Sequence, residues 1–554
     1  MTFDFKKAID KAVEIVSPEL AMRRYAARKT MKIMNVGYGE GGASRVKRSM
    51  KGWETASASP REDIDLNLNT LRMRSRDLYM NSPIGASAIK TNRTNVIGAG
   101  LKLKCHIDHE FLGLTDDEAD AWQRNTEREF KMWAKSKHCD ALEMNDFYDQ
   151  QRLIFLGFLM NGDGWCLFQK SAPKPWMPYT TRLLLIEADR ISTPWSNQVL
   201  GMVDGINPDN GNRIISGVEI DMTGKAVAYW VCNTYPNNFI GYVIVFERKW
   251  TRVPIFGENT GQPNILQLMD PERAGQYRGV PYLAPVIEAI KQLTRYTEAE
   301  ISAAVVSAFF TVFITSPDPA TDQPLGSMIP TDANTTLTPP TGANDIQMGP
   351  AAINTLSPGE KVDLANPTRP NAVFDAFTTS MCRQIGAAID IPMELLLKCF
   401  NASYSASRGA LLEAWKMFRT SRQWIAKEFC QPVYEEWLTE AVSIGRVSAP
   451  GFFTDPIIRA AWCGTEWHGP AAGQLDPMKE AQAADLRIQI GVSNRQRESI
   501  ELNGSDFENN VKELGREQQL MDKYGIPTIT QSARPPYTLP VEKAEMPAEG
   551  GEKD

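Results

Sequence analysis

Apolar residues recur at helical spacing in two segments that lie on either side of a proline-rich stretch. The first segment begins near Pro285, a favourable first-turn position because proline needs no amide hydrogen there. Its apolar or small residues follow one another in steps of three and four: Val286, Ile290, Leu293, Thr297, Ile301, Ala304 and Ala308. This stripe predicts one helix over 285–314, which ends where Ser316 precedes Pro317.

The second segment, 371–391, carries the same kind of stripe behind Asn371, a predicted helix cap. Its apolar face consists of Val373, Phe377, Met381, Ile385 and Ala388, and Pro392 ends it. We therefore expect two helices that leave and re-enter the rest of the protein on either side of the stretch 315–370.

The stretch 315–370 contains 10 prolines among its 56 residues, with many Thr, Asn, Asp, Gly and Ala. Such a composition cannot bury enough apolar surface to build its own core. The stretch is therefore either disordered or ordered by its neighbours. In the second case the two flanking helices act as stalks, and the working object is an assembly of many copies.

In the region before the first stalk, the spacing of apolar residues changes several times. Residues 61–95 have a helical pattern, and the sequence alternates with period two from Leu101. Thr115 followed by Glu118 predicts a capping box at the start of further helices over 115–160. Strand-like runs fill 165–270, with a hairpin turn at Thr223–Gly224. This mixture predicts an α+β body.

The region after the second stalk is helical. A long apolar stripe runs from Leu411 through Trp437, and Pro432 inside it predicts a kink. Three short helices follow over 476–523, two of them opened by the capping boxes Ser493/Gln496 and Ser505/Glu508. The composition predicts a disordered acidic tail over 524–554 and an N-terminal arm over 1–60.

Overall composition is that of an ordinary globular chain. The 554 residues carry a net charge of −7, which does not favour tight phosphate binding by the whole surface. The eight cysteines are scattered without a CxxC pair and indicate buried free thiols of a reducing compartment. The charged N-terminus does not resemble a secretory signal.

Two weaker patterns suggest other classes of protein. Gly37–Gly42 matches GxGxxG, so a nucleotide-binding enzyme is one alternative, although no second parallel strand is predicted nearby. Ile301–Ile314 is apolar but has 14 residues, fewer than the ~20 that a bilayer needs. It leaves a peripheral membrane protein as the other alternative, with a helix buried against protein favoured. The chain has no GxxxxGK[ST], which excludes a P-loop ATPase.

The candidate metal and catalytic residues are few. Cys105, His106 and His109 are close in sequence, but neighbours on a strand point to opposite faces. NGDGW at 161–165 has one acidic residue where a calcium loop needs several, which favours a tight turn. We expect no metal, no cofactor and no catalysis.

Several longer segments resemble the lambda-type phage portal proteins, in order and over about 20–515. These segments are SRDLYMNSPIGASAIKTNRTNVIGAGLKLKC (75–105), IEADRISTP (186–194), ERAGQYRGVPYLAPVIEAI (272–290), LSPGEKVDLANPTRP (356–370) and NASYSASRGALLEAWK (401–416). The resemblance implies a ring, usually of twelve subunits, at one capsid vertex, with double-stranded DNA passing through its channel. It implies a virion protein that is assembled in the host cytoplasm.

The resemblance also implies a portal-protein fold with an α/β wing, a long-helix stem, a small clip and a helical crown. Its parts would be a wing at 61–284, stem helices at 285–314 and 371–391, a clip at 315–370, a tunnel loop at 392–408, a long kinked wing helix with its connection at 409–475, and a crown at 476–523. The implied partners are the large terminase subunit, major capsid and scaffold proteins, and head-completion (adaptor) proteins. It implies no membrane partner.

Two groups of residues are candidates for contact with DNA. By position in the family pattern, Lys398, Asn401 and Tyr404 would lie at the channel constriction. Lys416, Arg419 and Arg422 recur every three residues and form a basic strip on the long helix. This strip is either a solvated or intersubunit face or a direct DNA contact. We expect the channel face to be neutral or acidic, because a dense basic lining would hold phosphates and stall DNA.

Overall fold

The computed structural model describes residues 18–20, 22–23, 48, 57–194, 204–236, 248–308, 312–315, 361–364, 374–400, 403–472 and 477–526. The chain divides into two compact units, Met1–Asp63 and Ile64–Asp554. In the first unit, the described residues at 18–20 and 22–23 are helical. The second unit holds all the described strands.

The body contains five helices before its first long strand. A π-helical turn, Arg61–Asp65, precedes them. The helices are α1 (Leu68–Asn81), α2 (Pro83–Val96), α3 (His109–Leu112), α4 (Asp116–Ala134) and α5 (Phe147–Asn161), with strand β1 (Lys102–Cys105) between α2 and α3. The predicted capping box opens α4, where Thr115 and Glu118 each bond the other's backbone N–H. The local sequence thus determines where this helix begins.

Among the residues described between 163 and 269, eight strands form two antiparallel sheets. They are β2 (Asp163–Lys170), β3 (Thr181–Ile186), β4 (Asp204–Ile206), β5 (Arg213–Ile215), β6 (Val218–Ile220), β7 (Ala226–Cys232), β8 (Trp250–Pro254) and β9 (Ile265–Met269). One sheet has the order β3-β2-β9 and the other β4-β5-β6-β7-β8. The predicted hairpin turn joins β6 to β7, with Gly224 in the left-handed conformation that this turn requires.

The rest of the chain is mainly helical. It contains α6 (Ile287–Ala308), β10 (Val312–Thr315), β11 (Lys361–Leu364), α7 (Phe374–Ala388), α8 (Met393–Leu397), α9 (Tyr404–Ile425), α10 (Gln431–Ser443), α11 (Pro456–Trp462), β12 (Thr465–His468), α12 (Pro477–Gln489), α13 (Arg495–Asn503) and α14 (Phe507–Lys523). Strand β12 pairs with β1, and β10 pairs with β11, both antiparallel. The α+β class is confirmed.

The main core is aromatic and joins distant parts of the chain. The buried ring of Phe130 lies 5.1 Å from Trp437 and 5.7 Å from Phe147 and Tyr434, measured between centroids and in edge-to-face geometry. A smaller core around Trp165 and Tyr229 packs the five-stranded sheet against the three-stranded one. Helices α4, α5 and α10 thereby share one interior with the strands.

The prediction of one helix over 285–314 is wrong at its end. Helix α6 ends at Ala308 among the described residues, and Val312–Thr315 is a strand. A Val-Phe-Ile-Thr run favours extended backbone, and β11 supplies its partner, with Val312 opposite Leu364. The apolar stripe is buried only in its first part: Ile290 is buried, whereas Ile301 is 59% exposed.

Two predicted capping boxes are also wrong by one residue. Asn494 caps α13 by accepting the amide of Arg497, and Asp506 caps α14 by accepting that of Asn509. Asn and Asp cap at least as well as the Ser residues that precede or flank them. The kink predicted at Pro432 is a π-helical turn, Ala426–Cys430, directly before α10.

The described cysteines are free thiols, as predicted, but not all are buried. Cys399 is exposed in the segment after α8, while the other seven are buried. Burial raises the pKa of Cys105 to about 12, so this thiol stays protonated. The buried thiols act as small apolar side chains.

Candidate functional site: the stem, the loop after it and the long helix

A buried ion cluster holds the segment that leads into α6. The guanidinium of Arg278 lies 2.6 Å from the Asp163 carboxylate, and it also donates to the carbonyls of Ala188 and Ile191 at 2.9 Å. Arg72, on α1, contacts the same carboxylate at 3.0 Å. The residues that begin the first stem segment are thus tied to α1 and to the turn into β2.

The cluster is almost completely buried: the exposed fractions of the Asp163, Arg278 and Arg72 side chains are 0%, 1% and 6%. Burial alone would raise the pKa of Asp163, but Arg278 and Arg72 outweigh this effect and lower the pKa. Burial lowers the pKa of Arg72 to about 10, which still leaves it charged at neutral pH. The motif NGDGW therefore forms the predicted tight turn, and its single acid is an internal counter-ion, a role that local sequence did not reveal.

Helices α6 and α7 are joined by aromatic side chains. The ring of Tyr296 on α6 lies 5.6 Å from Phe374 and 4.8 Å from Phe377, measured between centroids. Phe377 nevertheless remains 46% exposed, so one of its faces has no cover in a single copy. The ends of the proline-rich stretch meet in the β10–β11 ladder, where Thr315 lies opposite Lys361.

The loop between α7 and α9 is anchored at two points and strained at two others. The hydroxyl of Tyr282 donates to the carbonyl of Ile389, and the hydroxyl of Ser87 donates to that of Leu396 at 2.6 Å. Asp390 and Lys398 have φ of 53° and 54°, left-handed values that cost energy for residues other than glycine. Both lie at ends of helices, where the chain reverses.

The three residues nominated for the constriction are only partly described. Lys398 follows α8 directly and its side chain is exposed. Asn401 lies outside the described residues. The backbone of Tyr404 begins α9, and its side chain is outside the described part. Their role in a channel stays a prediction.

The structure separates the three members of the basic strip. Lys416 is exposed and pairs with Glu413 at 2.6 Å, and Arg419 lies 3.6 Å from Glu501. Arg422 points inward instead, where its guanidinium donates to three backbone carbonyls, those of Asn95, Val96 and Pro470, at 2.8–3.1 Å. Burial lowers the pKa of Arg422 to about 10. Whether this strip meets DNA or another copy stays a prediction.

A cleft of about 980 Å³ opens beside Arg422. We call it the α9–α13 cleft, and its lining comes from α9, the π-helical turn, β12 with the residues after it, and α13. Trp467 and His468 line it, and among the described atoms Trp467 Nε1 and His468 Nε2 are buried without a hydrogen-bond partner. Burial lowers the pKa of His468, which keeps that ring neutral near pH 7.

The remaining sequence candidates form no described site. Gly37–Gly42 lies outside the described residues. Cys105 is buried and His106 exposed, while His109 pairs with Asp116 at 3.0 Å. The described residues contain no group of His, Cys, Asp and Glu that could hold a metal ion. Within the ranges given above, no helix is long and apolar enough to cross a bilayer.

Comparison with known proteins gives one family. A family model described as "Phage portal protein, lambda family" matches residues 46–422, more than half of the chain. Portal protein B of Escherichia phage lambda is 25% identical over 486 residues, which cover 84% of this chain and 87% of that protein. The portal protein of Escherichia phage N15 is 24% identical over 515 residues, or 90% and 91% of the two chains.

Solved structures give a weaker likeness. The neck of a native gene transfer agent particle, computed with C12 symmetry, has a TM-score of 0.40 at 13% identity, covering 78% of this chain and 92% of that one. An HK97-family phage portal protein from Corynebacterium diphtheriae has a TM-score of 0.28 at 10% identity, covering 61% and 83%.

Proposed function

Because the chain belongs to the lambda family of phage portal proteins, we propose that it forms a ring-shaped channel for double-stranded DNA at one vertex of a capsid. In this proposal the ring, of twelve copies, serves genome packaging, head–tail joining and DNA ejection. Its role is structural, without catalysis. One observation carries the proposal. Helices α6 and α7 pack against each other beyond the buried core, and both keep apolar side chains exposed.

In this proposal, each part of the ring is assigned to a segment of the chain. The body over 61–284 is the wing, α6 and α7 are the stem, and the proline-rich stretch 315–370 is the clip. The β10–β11 ladder closes the base of the clip, so its residues can meet those of adjacent copies without disturbing the stem. The clip is where we expect the large terminase subunit and later the head-completion proteins to dock, while the wing faces the major capsid and scaffold proteins.

The loop over 392–408 is the proposed constriction. Its anchors at Ile389 and Leu396 are backbone carbonyls, so the loop is held while its exposed side chains stay free to face a channel. Lys398 and Arg408 would then be two cations per copy in a lining that we expect to be neutral or acidic. A sparse set of cations limits counterion release and lets the duplex slide.

The first experiment is a native mass measurement of the purified chain, joined to negative-stain images. We expect closed rings with a central opening. A chain that stays monomeric at high concentration would contradict the proposal.

The second experiment separates the clip from the rest. Deletion of 320–350 should leave the wing folded and abolish docking of the packaging motor, because the core that the structure describes is built from residues outside that range. A deletion variant that still packages DNA would assign motor docking to another surface.

A further inference from the structure

The last described helix, α14, contributes none of its 17 residues to the core of its own chain. Four of its five large apolar residues nevertheless fall on one line, with Leu520 on the other side of the helix. Phe507, Val511, Leu514 and Met521 are separated by four, three and seven residues, a spacing that places them on one face of a helix. Leu514 is 61% exposed and Val511 47%. A stripe of this kind is typical of a helix that packs against a partner.

The charges on α14 are sorted around this stripe. At 100° per residue, Asp522 and Glu517 flank the stripe on its two sides, and Glu508 and Glu513 follow about 100–115° from its middle. The three basic residues lie farther around the helix: Lys512, Arg516 and Lys523. The face of α14 is thus apolar in the middle and acidic at its edges. A partner that fits it is apolar in the middle and basic at its edges.

The α9–α13 cleft has that character. Trp415, Ala426 and Ile500 supply apolar surface. Four cations line it, against two carboxylates: Arg419, Arg422, Lys427 and Arg497 against Glu466 and Glu501. Trp467 and His468 also line the cleft, and their buried Nε1 and Nε2 atoms have no hydrogen-bond partner among the described atoms, although Glu466 lies 3.8 Å from His468 Nε2.

The two surfaces do not meet within one copy. The start of α14 is fixed to α13 and β1, because Gln496 bonds both Asp506 and the amide of Phe507, at 3.1 and 2.9 Å, and Lys104 lies 3.4 Å from Asp506. The residues that line the cleft include α13 and none of α14. Two α14 helices facing each other would place acidic edges together. The cleft of a second copy is the complementary surface that the chain itself provides for α14.

We propose that the α9–α13 cleft of one copy receives the apolar, acid-edged face of α14 from the next copy. The contact joins two different surfaces, so it is heterologous and can repeat until a ring closes. This inference rests on the proposed function, since a closed ring is what gives every cleft a helix. It adds the particular pair of surfaces that joins the copies.

The first test places a charge on the stripe. Leu514→Asp should fold normally, because the side chain is exposed in one copy, and should raise the protein concentration for half-assembly at least about tenfold. The matched control is Met222→Asp, at an apolar residue that is 97% exposed and far from both surfaces in sequence. Circular dichroism checks folding, and sedimentation velocity measures assembly. Assembly of Leu514→Asp like that of the control would overturn the inference.

The second test asks which surfaces touch. In a Cys399→Ser background, Leu514→Cys and Lys427→Cys are combined and treated with a short bis-maleimide. We expect covalent links between copies, seen as a ladder on a denaturing gel, and none for Met222→Cys with Lys427→Cys. Rings that form without this ladder would overturn the cleft assignment and leave the proposed function standing. Absence of any ring would overturn both.

Discussion

Helices α10 and α14 differ in how far their own chain buries them. Seven of the thirteen residues of α10 are buried, among them Tyr434 and Trp437, whereas none of the seventeen residues of α14 is. Both helices carry apolar stripes. The first stripe meets α4, α5 and the strands of its own chain, and the second meets solvent. The body is therefore complete in one copy, whereas α14 and the distal part of α6 leave apolar side chains exposed.

The largest expected effect comes from a substitution in the buried ion cluster of the body. Asp163→Ala leaves the buried guanidinium of Arg278 without its counter-ion and Arg72 with the more distant Asp189, 3.8 Å away, so we expect a loss of about 3–5 kcal/mol in the free energy of unfolding. Urea denaturation of the isolated chain measures it. Asp116→Ala, at a carboxylate that is 91% exposed, is the control and should cost less than about 1 kcal/mol. Equal losses would show that the cluster does not hold the body together.

A second buried carboxylate gives the body a defined acid sensitivity. Burial would raise the pKa of Glu219, but hydrogen bonds from Arg252, Asn210 and Asn212 lower it to about 2, from an ordinary value of 4.5. Because the folded pKa is depressed, its contribution is fully present above pH 4.5 and is lost as the pH falls toward 2.

Glu219→Gln should therefore lower the free energy of unfolding by about 2 kcal/mol at pH 7. The difference from the wild-type chain should shrink as the pH falls from 4.5 to 2. Denaturant titrations at several pH values measure this difference. A difference that stays constant over that range would refute the electrostatic explanation.

Helices α6 and α7 are covered in part and exposed in part, so they are intermediate between α10 and α14. A charge at Phe377 tests both the covered and the exposed part. Phe377→Asp removes the ring that packs 4.8 Å from Tyr296, so a single copy should lose about 1–2 kcal/mol. We expect a larger effect on ring assembly, because the exposed part of Phe377 is then a charge within an apolar seam. Phe256→Asp, at a ring that is 56% exposed, is the control. Unchanged ring assembly would show that this face of α7 does not lie in a seam.

The smallest effect should come from the end of the chain. Truncation after Lys523 removes no buried residue that the structure describes, so the stability of the body should change by less than about 0.5 kcal/mol. Thermal unfolding of the truncated and complete chains measures it. A large loss of stability would show that the tail packs on the body.

Local signals predicted the elements well. The Thr115–Glu118 box, the turn at Gly224 and the three C-terminal helices depend on residues within a few positions of one another, which is the range of capping and turn chemistry. The end of α6 was predicted wrongly because the partner of Val312–Thr315 lies almost fifty residues later in the sequence. Strand pairing at that distance leaves no periodic signal.

The site was less predictable because its contacts are distant. Lys416 and Arg422 were assigned to one strip, yet side chains six residues apart on an α-helix point about 120° from each other, and Arg422 faces inward. Its carbonyl partners lie on α2 and after β12. Likewise NGDGW indicates a turn, but the partners of Asp163 are 91 and 115 residues away. The spacing of the apolar stripe on α14 can be read from the sequence, whereas its exposure to solvent in one copy cannot.

The central claim is that one copy completes its body and leaves α14 and the distal part of α6 to be covered by its neighbours. Amide hydrogen exchange, followed on the purified chain below and above its assembly concentration, tests this most directly. We predict equal protection of α10 and β2 at both concentrations, with strong protection of α14 and of residues 301–308 appearing only on assembly. Protection of α14 that is the same in the single copy and in the ring would contradict the account.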